Sequence, residues 1–201
     1  MTTSKDRSLG EWAVLGLVAE NQTHGFALSR AFAPNGVIGT IWTIPRPLVY
    51  RALASLEAAG LVREVGSVPG ERGPERRLVE ATPEGRVALD YWLAEVVAHV
   101  RDARSELLVK LLLIDRAGRD PRGLLEAQAA RLDPMLDGLR RKLAEAEGFD
   151  ATLSRWRLRS AEALASFLAE LIEAAGTGGG AGTTSPGPAR PGVAPWWGGS
   201  G

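Results

Sequence analysis

Arg46, Pro47, Tyr50 and Arg51 are the side chains whose types and spacing best define a chemistry in this 201-residue chain. On a helix, Arg46 and Tyr50 lie one turn apart with Pro47, Arg51 and Ala54 beside them, opposite Val49, Leu53 and Leu56. A guanidinium is a planar fork of donors that grips guanine O6 and N7, or a phosphate, through paired hydrogen bonds. That assigns Arg46 and Arg51 to DNA and Tyr50 to a phosphate oxygen; the alternative is a solvated arginine pair beside a half-buried tyrosine. Farther along, Arg72, Arg76 and Arg77 interleave with Glu71 and Glu75, which reads as a phosphate clamp or as a solvated turn. Lys5 and Arg7 read as an ordinary disordered terminus or as flexible phosphate contacts.

Other chemistries lack their residues. There are no cysteines, which excludes disulfides, thiolate chemistry and cysteine-ligated zinc. His24 and His99 fall in different segments without an acidic or nucleophilic partner motif. His24 is expected at a helix start or turn, and His99 on the polar flank of a long helix. The TGGGAG run follows a helix and opens no strand–helix unit, so it is not a phosphate-binding loop. No enzyme, metal or cofactor is expected.

Lys+Arg and Asp+Glu are each 24, so the formal charge is zero and any DNA-binding surface must be local. The start, MTTSKDRSLGEW, is not a secretory signal. The longest apolar run, Leu107 to Ile114, is short and contains Lys110, so no membrane-spanning helix is expected. The expectation is a cytoplasmic protein with no membrane partner.

The elements that must position the arginines follow from periodicity. Leu9 to Glu20 is apolar over most of a helical surface, which marks a buried helix. Thr23 is placed to cap a second helix, HGFALSRAFA, ended by Pro34, Asn35 and Gly36. Val37 to Trp42 suggests a short strand or extended arm. IPRPLVYRALASLEAAG is a third helix, because Pro45 and Pro47 can sit in a first turn that has no hydrogen bonds to lose. LVREVGSV and RRLVEA are strands around the turn PGERGPE, and Thr82, Pro83 and Glu84 start another helix.

From Leu89 to Ile114 apolar residues step by threes and fours, a near-heptad seam. Counted from its start at Thr82, the helix fits one rod of about 50 Å or two helices bent near His99 to Ser105. Asp120–Pro121 starts a helix that Pro134 should kink or divide, and Asp150 caps a last one with Trp156, Leu164, Phe167, Leu168 and Leu171 as its stripe. From Gly176 the Gly/Pro/Ser-rich composition predicts disorder, with Trp196 and Trp197 as either a chance exposure or a short docking peptide.

Helix, helix, helix, strand, wing, strand, long helix is the order of a winged helix-turn-helix. LGLVAENQTHGFALSRAF, VYRALASLEAAGLVRE and ERRLVEATPEGRVAL together resemble the PadR-like family of transcriptional regulators. Its glycine-plus-aromatic opening of the second helix matches Gly25 and Phe26, and its recognition-helix tyrosine with following leucines matches Tyr50, Leu53 and Leu56. The exit matches Gly60, Leu61 and Val62, and the Thr-x-x-Gly after the wing matches Thr82 and Gly85. The helices after it resemble the family's larger subgroup, whose C-terminal region forms the homodimer.

The resulting expectation is a mostly α fold with a small β-wing. A flexible arm would occupy residues 1–8, a winged-helix DNA-binding domain 9–98, an all-helical dimerisation region 99–175 and a disordered tail 176–201. The partners would be double-stranded DNA and a second copy, with Leu107, Leu111, Ile114, Trp156, Leu164, Phe167, Leu168 and Leu171 at the dimer interface. The resemblance implies a repressor on an inverted-repeat operator, released by a small planar apolar effector. Among Trp12, Trp42, Trp92 and Trp156, the pair Trp92 and Trp12 is assigned to its pocket, core packing being the alternative for each. The competing reading is a winged-helix protein–protein adaptor that binds no DNA.

Overall fold

The computed structural model describes residues 7–70 and 73–177. Its elements run α1 (Leu9–Glu20), α2 (Gly25–Ala31), α3 (Arg46–Ala58), β1 (Val62–Gly70), β2 (Gly73–Ala81) and α4 (Pro83–Ala94). Then come a short α5 (Val100–Asp102), a π-helical turn (Ala103–Leu107), α6 (Leu108–Arg116), α7 (Arg122–Glu145) and α8 (Gly148–Thr177). Arg72, Lys5 and the Trp196–Trp197 segment lie outside the described residues.

The apolar wrap of α1 has the expected consequence: every residue from Trp12 to Val18 is buried. Each large side chain buried there contributes about 1.5–3 kcal/mol, and α1 touches α3, α4, β2 and α6. Its start is fixed by a capping box, in which Ser8 Oγ accepts from Glu11 N while Glu11 Oε2 accepts from Ser8 N. Ser55 Oγ donates to the other oxygen of Glu11 at 2.6 Å, tying α1 to α3.

The cap of α2 differs from expectation. His24, not Thr23, is the N-cap, and its Nδ1 accepts from Ala27 N at 3.0 Å. Thr23 is occupied otherwise, exchanging backbone hydrogen bonds with Val79 of β2. Its buried hydroxyl has no hydrogen-bond partner among the described residues. Val37 to Trp42 is neither strand nor arm: Thr40 N bonds Gly36 O and Trp42 N bonds Ile38 O, so the segment coils helically around fully buried Ile38.

α3 starts at Arg46 with Pro47 in its first turn, and Val49, Leu53 and Leu56 are buried as the spacing requires. The wing is an antiparallel pair, Val62 opposite Ala81 and Val68 opposite Arg76, with register irregularities between Glu64 and Gly66 and between Val68 and Gly70. Its strands reach farther into the turn than the sequence reading placed them. Thr82 caps α4 by accepting from Gly85 N and also donates to Gly60 O. Gly85 must lack a side chain, because a Cβ there would collide with Leu61 O. These two contacts explain why threonine and glycine stand three apart after the wing.

The seam from Leu89 to Ile114 is two helices, and the break lies at Glu95 to His99, slightly earlier than expected. Side chains catch the released backbone. Gln128 Oε1 accepts from Val97 N, Gln128 Nε2 donates to Val97 O, and Lys110 Nζ donates to Glu95 O. His99 is therefore the N-cap residue of α5 and not part of a long helix flank. α7 runs uninterrupted through Pro134, so that residue does not divide it. Buried Leu132 and Leu136 on either side hold the helix in its packing despite the lost hydrogen bond. α7 and α8 form a hairpin, and α8 begins at Gly148, which places Asp150 in its first turn. No helix among the described residues is long and apolar enough to cross a membrane.

Candidate nucleic-acid interface

The outward face of α3 is the residue set the helical spacing selects. Arg46, Pro47, Tyr50, Arg51 and Ala54 are all exposed, while Val49, Ala52, Leu53 and Leu56 of the same helix are buried. The buried stripe locks the helix on α1 and α2, so its solvent face is held by packing rather than by its own contacts. No carboxylate pairs with Arg46 or Arg51 among the described residues. Arg46 instead donates to Tyr50 Oη at 3.2 Å, with its guanidinium 5.3 Å from the tyrosine ring centroid. Tyr50, 40 % exposed, is thereby held beside the arginine.

The wing arginines separate. Arg77 is committed to carboxylates, with Nε 2.6 Å from Glu64 and a terminal nitrogen 2.9 Å from Glu57. The Glu64 hydrogen bond first, then the Glu57 charge, pushes its pKa above the usual arginine value. Arg63 is paired likewise with Glu80 at 2.5 Å. Arg76 has no carboxylate partner among the described residues; its guanidinium lies 4.7 Å from the centroid of Phe26 on α2. The same Phe26 ring is 5.6 Å from the Arg46 guanidinium. The sequence reading named Phe26 only as part of a motif; an exposed aromatic between two basic segments is the signal that could have flagged it.

His24 lies beneath this cluster. Burial chiefly, and the Arg76 charge secondarily, hold its imidazole below the usual histidine range, so it stays neutral and keeps Nδ1 free as a cap acceptor. The arrangement can present fixed cationic donors from α3, with Arg76 alongside them, to a polyanion. Among the described residues, neither histidine is hydrogen-bonded to a nucleophile or an acid.

Of the other sequence-predicted residues, Trp12 and Trp92 are brought together. Their rings stack at 5.3 Å and 5°, both are buried, and both line a recess of about 420 Å³ together with Arg7, Leu9, Val96 and Arg131. In the helical region, Leu107, Ile114 and Leu168 are buried in the chain's own core. Trp156, expected on the apolar stripe of α8 and at the dimer interface, is 72 % exposed, whereas Leu158, Ala161 and Leu168 of the same helix are buried. Leu111, Leu164, Phe167 and Leu171 are partly accessible.

Residues 14–91 match the sequence model of the Transcriptional regulator PadR-like family. The chain is 29% identical over 96 residues to a probable transcriptional regulator of Mycobacterium tuberculosis, Rv1176c, a match that covers 48% of this chain and 49% of that protein. It thus spans about half the length of that curated relative. Among solved structures, Bacillus subtilis PadR in complex with operator DNA is similar at a TM-score of 0.41 and 19% identity, over 81% of this chain and 97% of the other. The same protein in complex with p-coumaric acid gives 0.39 and 17%, over 84% and 99%.

Proposed function

Residues 14–91 belong to the PadR-like family of transcriptional regulators, and from that premise we propose that this chain is a sequence-specific repressor that binds operator DNA as a homodimer. The observation that carries the reading is the exposed face of α3, on which Arg46 and Arg51 pair with no carboxylate among the described residues and whose other side is locked in the core. An α-helix of this kind fits the major groove, where arginine distinguishes guanine. Arg46 and Arg51 read bases, Tyr50 and Pro47 lie against the backbone, and Arg76 supplies the wing's phosphate contact. Arg77 is already offset by two carboxylates, so it adds little charge, and Arg72 completes the expected clamp.

One such head reads too few bases to discriminate, and a twofold dimer repeats it on an inverted repeat at half-sites about 34–36 Å apart. Support for pairing comes from a groove of about 870 Å³ lined by Leu107, Met135, Leu139, Trp156, Leu164 and Phe167. An apolar groove edged by an exposed tryptophan is the kind of surface that a second copy covers. The Trp12–Trp92 recess lies where α1 meets the end of α4. A planar apolar effector bound there would act by changing the angle between the reading heads.

The test is selection of bound fragments from random duplex DNA, followed by affinity at two salt concentrations. A regulator recovers an inverted repeat, binds it near 10⁻⁸ M or tighter, and weakens steeply with salt. Arg51→Ala should lose about 1–3 kcal/mol and relax the preference at one position of each half-site. An adaptor would enrich no sequence.

A further inference from the structure

We propose that Phe26 is a positioning residue for DNA binding: its ring holds Arg46 of the recognition helix and Arg76 of the wing at one place, so that the two segments act as a single cationic unit. The inference rests on the DNA-binding reading and deepens it. Phe26 is 36 % exposed, yet it has two guanidinium neighbours, Arg76 at 4.7 Å and Arg46 at 5.6 Å from its centroid. Both distances fall within the range in which a cation is attracted to the electron-rich face of a ring. α2 contributes the ring, α3 one arginine and β2 the other, and no ion pair does the same work, since neither arginine has a carboxylate partner among the described residues.

The ring's own place is fixed from three sides. His24 caps the helix on which it sits, and its imidazole lies 6.4 Å from the Phe26 centroid. Gly25 allows α3 to come close, because a Cβ there would stand 2.6 Å from Tyr50 Cε1. Tyr50 in turn accepts the hydrogen bond of Arg46.

An arginine that met a carboxylate here would be neutralised before reaching a phosphate. An aromatic ring orders the long side chain without cancelling its charge, and so lowers the entropy lost when the arginine binds.

Phe26→Leu keeps an apolar side chain and removes the π face; Phe26→Trp keeps the face. Each exposed cation–π contact corresponds to roughly a two- to fivefold change in an equilibrium constant. Phe26→Leu should therefore weaken binding to the selected duplex about 5- to 25-fold, with the fold retained and the thermal midpoint lowered by about 2–8 °C. Phe26→Trp should restore affinity. In the Arg76→Ala background, Phe26→Leu should have a visibly smaller effect, since one of its two cations is already gone. Independently of DNA, ring current should shift the Arg46 and Arg76 side-chain proton resonances of the free protein upfield, and Phe26→Leu should abolish that shift.

Three results would overturn the proposal while leaving the DNA-binding reading intact: unchanged affinity in Phe26→Leu with Arg46→Ala still weakened, equal loss in Phe26→Leu and Phe26→Trp, or arginine resonances that do not respond. Failure of the wild-type protein to bind any duplex would overturn both.

Discussion

Glu106→Ala should destabilise the protein more than Lys110→Met, although each removes the same ion pair. Lys110 is fully buried. Its Nζ lies 3.2 Å from Glu106 Oε1, donates to Glu95 O at 2.5 Å and stands 4.8 Å from the Trp92 centroid. Burial pushes its pKa below the ordinary lysine value, while the Glu106 charge pulls it back up. Removing one member of a buried pair and leaving the other charge uncompensated costs roughly 3–5 kcal/mol. The loss has a ceiling, because the amine can release its proton: against an unfolded lysine near pKa 10.4, being neutral at pH 7 costs about 4.6 kcal/mol.

Glu106→Ala should then lose about 3–4.6 kcal/mol at pH 7. At pH 9 the ceiling falls to about 1.9 kcal/mol, and the deficit should shrink with it. The sign follows from a folded pKa below the unfolded one: stability rises with pH until the unfolded lysine has also lost its proton. Lys110→Met retains most of the buried stem, and Glu106, whose side chain is 30% exposed, can rehydrate. The lost hydrogen bond of about 1.5–3 kcal/mol and the lost cation–π contact of about 2 kcal/mol are offset by several kcal/mol of ammonium desolvation no longer incurred. That variant should lie within about 1.5 kcal/mol of wild type, and the double variant should resemble it. Urea unfolding at pH 7 and pH 9 measures all four proteins. If Lys110→Met is the less stable single variant at pH 7, or if the Glu106→Ala deficit is unchanged at pH 9, the reasoning is refuted.

Other perturbations separate the remaining assignments. Because the folded pKa of His24 is depressed by burial and Arg76, stability should be full above about pH 6.5 and fall as the pH drops through that value toward the folded pKa. His24→Asn keeps a cap acceptor, and thermal melts at pH 7.5 and 5.5 should lose that component of the slope; a slope that persists unchanged rejects the assignment. Thr82→Ala removes both the acceptor for Gly85 N and the donor to Gly60 O and should cost about 1–2 kcal/mol in chemical denaturation, with Thr82→Ser close to wild type. Phe167→Glu, on the open groove, should convert a dimer into a monomer in sedimentation without loss of helicity; a variant still dimeric moves the interface elsewhere.

The exposed face of α3 was legible in the sequence because burial on one side of a helix dictates exposure on the other. Val49, Leu53 and Leu56 alone placed Arg46, Tyr50 and Arg51 in solvent. Legible too was the Thr82 cap, whose hydroxyl, following proline and glycine three residues on are local signals. The capping box of Ser8 and Glu11 carries the same kind of local signature and was overlooked. What did not show was whatever depends on residues far apart in the chain. Thr23 has the right chemistry for a cap, but pairing with Val79 takes its backbone, and the cap passes to His24. The threes and fours from Leu89 to Ile114 continue straight through the break at Glu95 to His99. A side chain 31 residues away, Gln128, supplies the hydrogen bonds that replace helix there. Nor does periodicity distinguish an arginine neutralised by carboxylates from one laid on a ring, which is the difference between Arg77 and Arg76.

The joint at Glu95 to His99 bears directly on how the reading heads could be controlled. Backbone that leaves a helix has donors and acceptors to satisfy, and here they are met by Lys110 of α6 and Gln128 of α7. Both side chains belong to the helical region, while α4 belongs to the winged helix. A second tie runs in parallel, where Arg116 of α6 makes two hydrogen bonds to Glu20 at the end of α1. Four elements therefore converge on the zone beside the Trp12–Trp92 stack, and α4 cannot swing freely relative to α6. Rigid attachment is what a dimer needs if it is to hold two heads at a fixed separation, since a loose tether would accept many half-site spacings. It also means that a ligand entering the Trp12–Trp92 recess would meet Glu95 and Glu106 on its wall, where the first contributes the carbonyl and the second the carboxylate that hold Lys110. A shift of Trp92 there would disturb the lysine that closes the joint, and so would couple the recess to the direction in which α3 points.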